Sequence, residues 1–218
     1  MTAPRRAAAR TYTPAEYLAF EEAVVDRPRH EYVDGHIYAM SGASTPHVIL
    51  RDNLLVALHV RLRGGACRPF SGDLRVRAPD AQFYSYPDIA VVCGRMEVDE
   101  GKTATLLNPT LLIEVLSDST EAYDRGEKFA RYQAIPALRE YVLVSQHEVR
   151  AESFVRGAGG AWTMTAAAGL DAVLALASVG CAVPLAELYE GVELSPRPRR
   201  LRRIREPAAP RYAAEGAR

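Results

Sequence analysis

Glu114 is an acid in an apolar setting. In Leu111-Leu112-Ile113-Glu114-Val115-Leu116, the two-residue period of a strand puts Leu111, Ile113 and Val115 on one face and Leu112, Glu114 and Leu116 on the other. Both faces are apolar except for that carboxylate. Buried without a partner it would cost several kcal/mol, so it must be protonated, paired or bound to a cation. A second acid, Asp88, stands near the start of Pro87-Asp88-Ile89-Ala90-Val91-Val92-Cys93, whose continuous apolar run marks a strand covered on both faces. Two carboxylates at close quarters repel, and a hard divalent cation with oxygen ligands is the usual relief. Mg²⁺ or Mn²⁺ held there would acidify a water and neutralise a phosphate.

A lysine offers the third chemical group. Of the 27 basic residues 25 are Arg, and only Lys102 and Lys128 are Lys. A lysine retained against such a bias suits a task that guanidinium does poorly, such as acting as a compact charge beside a reacting oxygen. Asp124, Lys128 and Tyr132 follow one another at four-residue intervals, on one face of the helix expected after Glu114.

These residues need a scaffold. Thr13 as N-cap and Pro14 at the first position start a helix running to Val25. His30 to Met40 reads as a hairpin about Asp34-Gly35. Ser44, Thr45 and Pro46 open a helix to about Arg63, with His47, Leu50, Leu54 and Leu58 on its apolar stripe and Gly64-Gly65 as the stop. Strands are expected at Cys67 to Phe70, Asp73 to Arg77, Pro87 to Cys93, Leu111 to Leu116, Glu140 to Ser145 and Val149 to Val155. A helix from Ser119 or Thr120 to Ile135 ends before Pro136. Trp162 to Ala168 and Ala172 to Ala177 suggest further strands, and Pro184 to Tyr189 a short closing helix. The order is that of an α/β protein of the α+β type, a mixed sheet flanked by a few helices.

The chain has 218 residues, 48% of them hydrophobic and 25% charged, enough for one real core rather than a disordered polymer. The folded domain is expected over 11–194, with a flexible 1–10 and a disordered Arg-rich tail over 195–218. The tail carries eight Arg against two Glu, while Thr11 to Leu194 carries 16 basic and 25 acidic residues, so a net charge of zero hides basic ends on an acidic body. Its composition suits sequence-independent phosphate contact. No apolar run is long enough to span a membrane and no signal peptide is visible, so a cytoplasmic protein with no membrane partner is expected. Cys67, Cys93 and Cys181 are odd in number and widely spaced, and they read as buried thiols rather than disulfides or zinc ligands. Neither a glycine-rich phosphate loop nor a G-x-S-x-G elbow is present.

Pro87-Asp88, Glu114-x-Leu116 and Lys128 on the next helix resemble the PD-(D/E)XK nuclease superfamily, with its restriction-endonuclease-like fold. The ordered set of Glu31-Tyr32-Val33-Asp34-Gly35, His47, Tyr86-Pro87-Asp88, Ile113-Glu114-Val115-Leu116-Ser117, Ser119-Thr120, Asp124, Lys128 and Tyr132 is more closely similar to the bacterial Uma-two endonuclease family, over about Tyr12 to Glu193. The resemblance implies a metal-dependent endonuclease acting on DNA. Asp88 and Glu114 would be its metal ligands, with the Val115 backbone carbonyl as a third. Lys128 would position or activate the attacking water, and Glu31 would complete the acidic cluster. The superfamily's E-x-K lysine is Leu116 here, and Lys128 from the helix would replace it.

Other readings stand beside these. Glu114 could be one half of a structural ion pair, Asp88 a turn cap, and Lys128 a surface partner of Asp124. Glu31 could face solvent, and His47 could be a satisfied core histidine, although the family pattern makes it a site candidate. Asp73 lies near the cleft or on a solvated edge strand, and Tyr132 packs or hydrogen-bonds. The alternative function is a nuclease fold that binds nucleic acid or a partner without cutting. Cutting two strands would favour a homodimer with two-fold symmetry.

Overall fold

Local signals set the first elements. In the computed structural model, which describes residues 10–23, 28–40, 42–99 and 104–194, helix α1 spans Pro14–Ala23. Thr13 and Glu16 close a reciprocal cap, the Thr13 hydroxyl accepting from the Glu16 amide at 3.2 Å and the Glu16 carboxylate accepting from the Thr13 amide at 2.8 Å. The expected hairpin forms from β1, His30–Val33, and β2, His36–Ala39. Asp34 and Gly35 both have positive φ, 45° and 86°, as a tight two-residue turn of this hand requires. The α1 residue Tyr17 packs its ring 5.2 Å from Tyr32 of β1 and fastens the hairpin to the body.

Helix α2, Thr45–Arg61, is capped by the Ser44 hydroxyl, which accepts from the His47 amide. Strands β3, Cys67–Ser71; β4, Arg75–Arg77; β5, Phe83–Ser85; β6, Ile89–Cys93; β7, Val98–Asp99; and β8, Thr105–Leu106 come next. Then come β9, Leu111–Leu116, and a helical stretch over 121–133 made of α3, Glu121–Tyr123, a π-helical turn, Asp124–Lys128, and α4, Phe129–Gln133. The chain continues through β10, Glu140–Ser145; β11, Arg150–Arg156; β12, Trp162–Ala168; β13, Val173–Leu176; β14, Cys181–Pro184; and α5, Leu185–Leu188.

The mixed sheet runs β12-β11-β10-β9-β6-β3, parallel only between β9 and β10. A second six-stranded sheet runs β2-β1-β5-β4-β8-β7, and β13 and β14 form a separate ribbon. The strand β9 separates two cores as its alternation requires. Leu111, Ile113 and Val115 join Leu50, Leu54 and Leu58 of α2 on one side, while Leu112 and Leu116 join Phe129, Tyr132 and Phe83 on the other.

Several expectations need correction. Cys67 and Cys93 are disulfide-bonded rather than separate thiols, because the antiparallel register of β3 on β6 sets them directly opposite each other. Cys181 is a free, partly buried thiol that burial pushes upward in pKa. Asp73 does not begin a strand: it follows β3 in a turn, and β4 starts at Arg75. The expected tail, most of the expected flexible start, and Lys102 lie outside the described residues.

Candidate functional site

Five elements converge on Glu114. It faces the core on the Leu112 and Leu116 side of β9 and is only 4% exposed. Glu31 shares the inward face of β1 with Val33 and is buried, not solvated, while Tyr32 points into the tyrosine cluster on the other face. Asp88 sits at the mouth of β6, Ser85 at the end of β5, and His47 in the first turn of α2. The 121–133 helix supplies Asp124, Lys128 and Tyr132. A π-helical turn at their origin adds a residue to the turn, a distortion often found at functional sites.

The lysine is no surface residue. Its Nζ lies 3.0 Å from Glu31 Oε1, 3.0 Å from Glu114 Oε1 and 3.5 Å from Asp124 Oδ1, and all four side chains are almost wholly buried. The Tyr132 hydroxyl donates to Glu114 Oε1 at 3.0 Å and lies 2.7 Å from Ser85 Oγ, so the serine is the donor in that second bond. Asp88 leans on β9: its Oδ2 accepts from the Val115 amide at 2.7 Å, and its own amide donates to Glu114 Oε2 at 3.4 Å. The backbone of Val115 therefore lies beside both acids.

On the α2 side, His47 Nε2 is 2.9 Å from Asp88 Oδ1. His47 Nδ1 is buried without a hydrogen bond among the described residues, so the proton is assigned to Nε2, donating to Asp88. Gly72 fits against the same segment. A Cβ there would stand 3.2 Å from the Pro87 carbonyl oxygen, so the close approach of β3's end to Asp88 favours glycine.

Electrostatics show a shortage of positive charge. Burial pushes the Glu114 carboxyl well above the ordinary range; Lys128 opposes this, and Asp124, Asp88 and Glu31 add to it. Burial likewise raises Asp124 against the pull of Lys128. Burial alone would lower Lys128, but Glu114, Tyr132, Glu31 and Asp124 outweigh it and hold the ammonium well above its usual value. Burial, then Glu114, raises the Tyr132 phenol, which stays a neutral donor. One ammonium thus faces the carboxylates of Glu31, Glu114 and Asp124, with Asp88 adjoining.

Glu31, His47, Asp88, Glu114, Asp124 and Lys128 line a cleft of about 1300 Å³. Among the described residues no three His, Cys, Asp or Glu side chains form a ready-made metal cage. The pair Asp88 and Glu114 nevertheless fits Mg²⁺ or Mn²⁺. Such an ion is commonly held by one or two carboxylates, with water and phosphate oxygens completing its shell, and the donors are hard oxygens in a region with excess negative charge.

The sequence-derived residues Asp88, Glu114, Lys128, Glu31, Tyr132 and His47 all come together here. Asp73 does not join them: it reaches only the rim, where its carboxylate is 80% exposed and paired with Arg29. Sequence reasoning missed Ser85, which only the register of β5 reveals, and Tyr123 and Arg29 on the cleft wall.

The family model described as "Putative restriction endonuclease", Uma2, matches residues 14–186. The chain belongs to that family. It is 37% identical over 180 residues to the uncharacterized protein slr1290 of Synechocystis sp., a match covering 83% of this chain and 92% of that protein. A second uncharacterized Synechocystis protein, sll1609, is 32% identical over 160 residues, covering 73% of this chain and 89% of that one. In structure the chain is similar to a crystal structure described as "a putative nuclease" from Anabaena variabilis, with a TM-score of 0.65 over 82% of this chain and 97% of that one. At 15% identity this likeness shows the shared fold. This Uma2 chain thus shares its fold with that structure, and its acidic cluster stands on the cleft wall. No helix among the described residues is long and apolar enough to cross a membrane.

Proposed function

We propose that this Uma2 protein is a Mg²⁺- or Mn²⁺-dependent endonuclease that hydrolyses phosphodiester bonds in DNA. The observation that carries the reading is the buried Glu114 carboxylate, held by Lys128 and Tyr132 and adjoined by Asp88 on the wall of an open cleft. Family membership supports it. A structural ion pair would need no cleft and no excess of acids around its one ammonium.

Asp88 and Glu114 would hold the cation, with the Val115 carbonyl as a further oxygen donor. When bound, the ion supplies Lewis acidity, acidifying water and offsetting phosphate charge. Lys128 keeps its proton, orients water by donating to it, and offsets charge that develops on the phosphate oxygens. Tyr132 and Ser85 fix the rotamer of Glu114. Glu31 and Asp124 hold the Lys128 ammonium in place. The side chain of Leu116 is buried in the core, so the cation comes to Glu114 from the helix instead.

Supercoiled plasmid incubated with the purified chain tests this directly. Nicking or linearisation is expected with Mg²⁺ or Mn²⁺ and not with EDTA; equal turnover in both conditions would reject the metal-dependent reading.

His47 is expected to act through Asp88 rather than on the phosphate. His47→Ala removes the donor to Oδ1 and should weaken Mn²⁺ binding by about 10- to 100-fold, the usual scale for a residue that orients a ligand. His47→Gln can keep an N–H near the same point and should recover part of that loss. If titration calorimetry gives the two variants wild-type affinity, His47 is only a packed core histidine.

A further inference from the structure

We propose that Arg29 and Arg51 are the two phosphate-contacting arginines of the cleft, gripping the nucleic-acid backbone on either side of Asp88. The inference rests on the nuclease reading and deepens it by naming substrate-binding residues. Lys128 is enclosed by Glu31, Glu114 and Asp124, which confine its charge to the reacting centre and away from the flanking phosphates. Among the described residues lining the cleft, Arg29 and Arg51 are the remaining Lys or Arg side chains. An acidic wall repels DNA, so the cations that offset it must come from these positions, from a bound metal, or from basic segments elsewhere.

Each arginine is built toward Asp88 by a separate route. Arg29 donates to the Gly72 carbonyl at 2.8 Å, and its guanidinium lies 5.1 Å from the centre of the Tyr86 ring, two residues before Asp88. Arg51 follows His47 by one helical turn on α2, and His47 hydrogen-bonds Asp88. The acids that now pair with them are poor competitors for a phosphate. Asp73 beside Arg29 is 80% exposed and Asp52 beside Arg51 is 55% exposed, and exposed pairs of this kind contribute little. A phosphate can take over a guanidinium with two parallel hydrogen bonds.

The test is the salt dependence of duplex binding, read by fluorescence anisotropy of a labelled oligonucleotide with the full chain in EDTA, which prevents metal-dependent cleavage and removes divalent competition. Each phosphate neutralised contributes about 0.9 to the slope of log K against log salt. Arg29→Gln and Arg51→Gln are each expected to flatten the slope by about that amount, and the double variant by about twice as much. Arg29→Lys, which keeps the charge but loses the fork, should retain the slope while weakening affinity. That separates phosphate contact from a merely structural role beside Tyr86. A wild type that binds with a slope unchanged in Arg29→Gln and Arg51→Gln would overturn the proposal and leave the nuclease reading standing. A wild type with no DNA binding in EDTA even at low salt would overturn the proposal, while plasmid cleavage with Mg²⁺ or Mn²⁺ decides the nuclease reading on its own.

Discussion

Lys128→Met is expected to unfold at a markedly lower temperature than the wild type and to lose DNA cleavage. The methionine chain fills most of the lysine's space, so the effect is one of charge. Removing one partner from a buried ionic cluster leaves the others uncompensated, at a cost of about 3–5 kcal/mol. Here Glu31 and Glu114, each 3.0 Å from the ammonium, and Asp124 at 3.5 Å would be left together. For a domain of this size that corresponds to a fall in melting temperature of about 6–20 °C. Neutralising one acid as well, in Lys128→Met/Glu114→Gln, should restore part of the stability and none of the activity. Pairing the two losses distinguishes a site lysine from a purely structural one, which would allow cleavage by whatever fraction remains folded. Wild-type stability in Lys128→Met would contradict the buried cluster.

Glu114→Gln and Asp88→Asn should each reduce cleavage by at least about 100-fold, the scale of losing one group that stabilises charge in a transition state. Their folds should survive. In Glu114→Gln the ammonium keeps Glu31 and Asp124, and the amide can still accept from Tyr132. In Asp88→Asn the amide oxygen can still accept from the Val115 amide. The two variants therefore separate chemistry from stability in a way Lys128→Met does not. Full cleavage by Glu114→Gln at unchanged melting temperature would sink the assignment of that carboxylate.

Much of this site was legible because strand alternation is a strict geometric rule. The six residues of β9 divide between two cores as their spacing dictates, and a lone acid on a buried face is informative whatever the fold. The four-residue spacing of Asp124, Lys128 and Tyr132 likewise survives in the folded helix, although nothing in the residues announces its π-helical turn. Hairpin and cap signals at Asp34-Gly35, Ser44 and Thr13 are local chemistry and carry over directly. What stayed hidden depends on tertiary register. Strands β5, β7 and β8 are two or three residues long and exist through their neighbours, and the second sheet with them. The Cys67–Cys93 pairing follows from how β3 lies on β6, which spacing in the chain cannot give. Glu140, at the start of β10, is also a fully buried acid. The structure satisfies it with the Ser153 hydroxyl and the Ser178 amide, away from the cleft, so burial of a carboxylate does not by itself mark a site.

In the proposed mechanism Asp88 and Glu114 together hold a divalent cation that the cleavage reaction requires. Calorimetric titration of Mn²⁺ into the full chain and into Asp88→Asn and Glu114→Gln, with plasmid cleavage assayed on the same samples, tests it most directly. One saturable site is expected in the wild type, with its loss or severe weakening in both variants and cleavage that tracks occupancy. A wild type that takes up no Mn²⁺, or variants that bind it as tightly as the wild type, would rule out a cation held by Asp88 and Glu114 and leave Glu114 as the buried partner of Lys128.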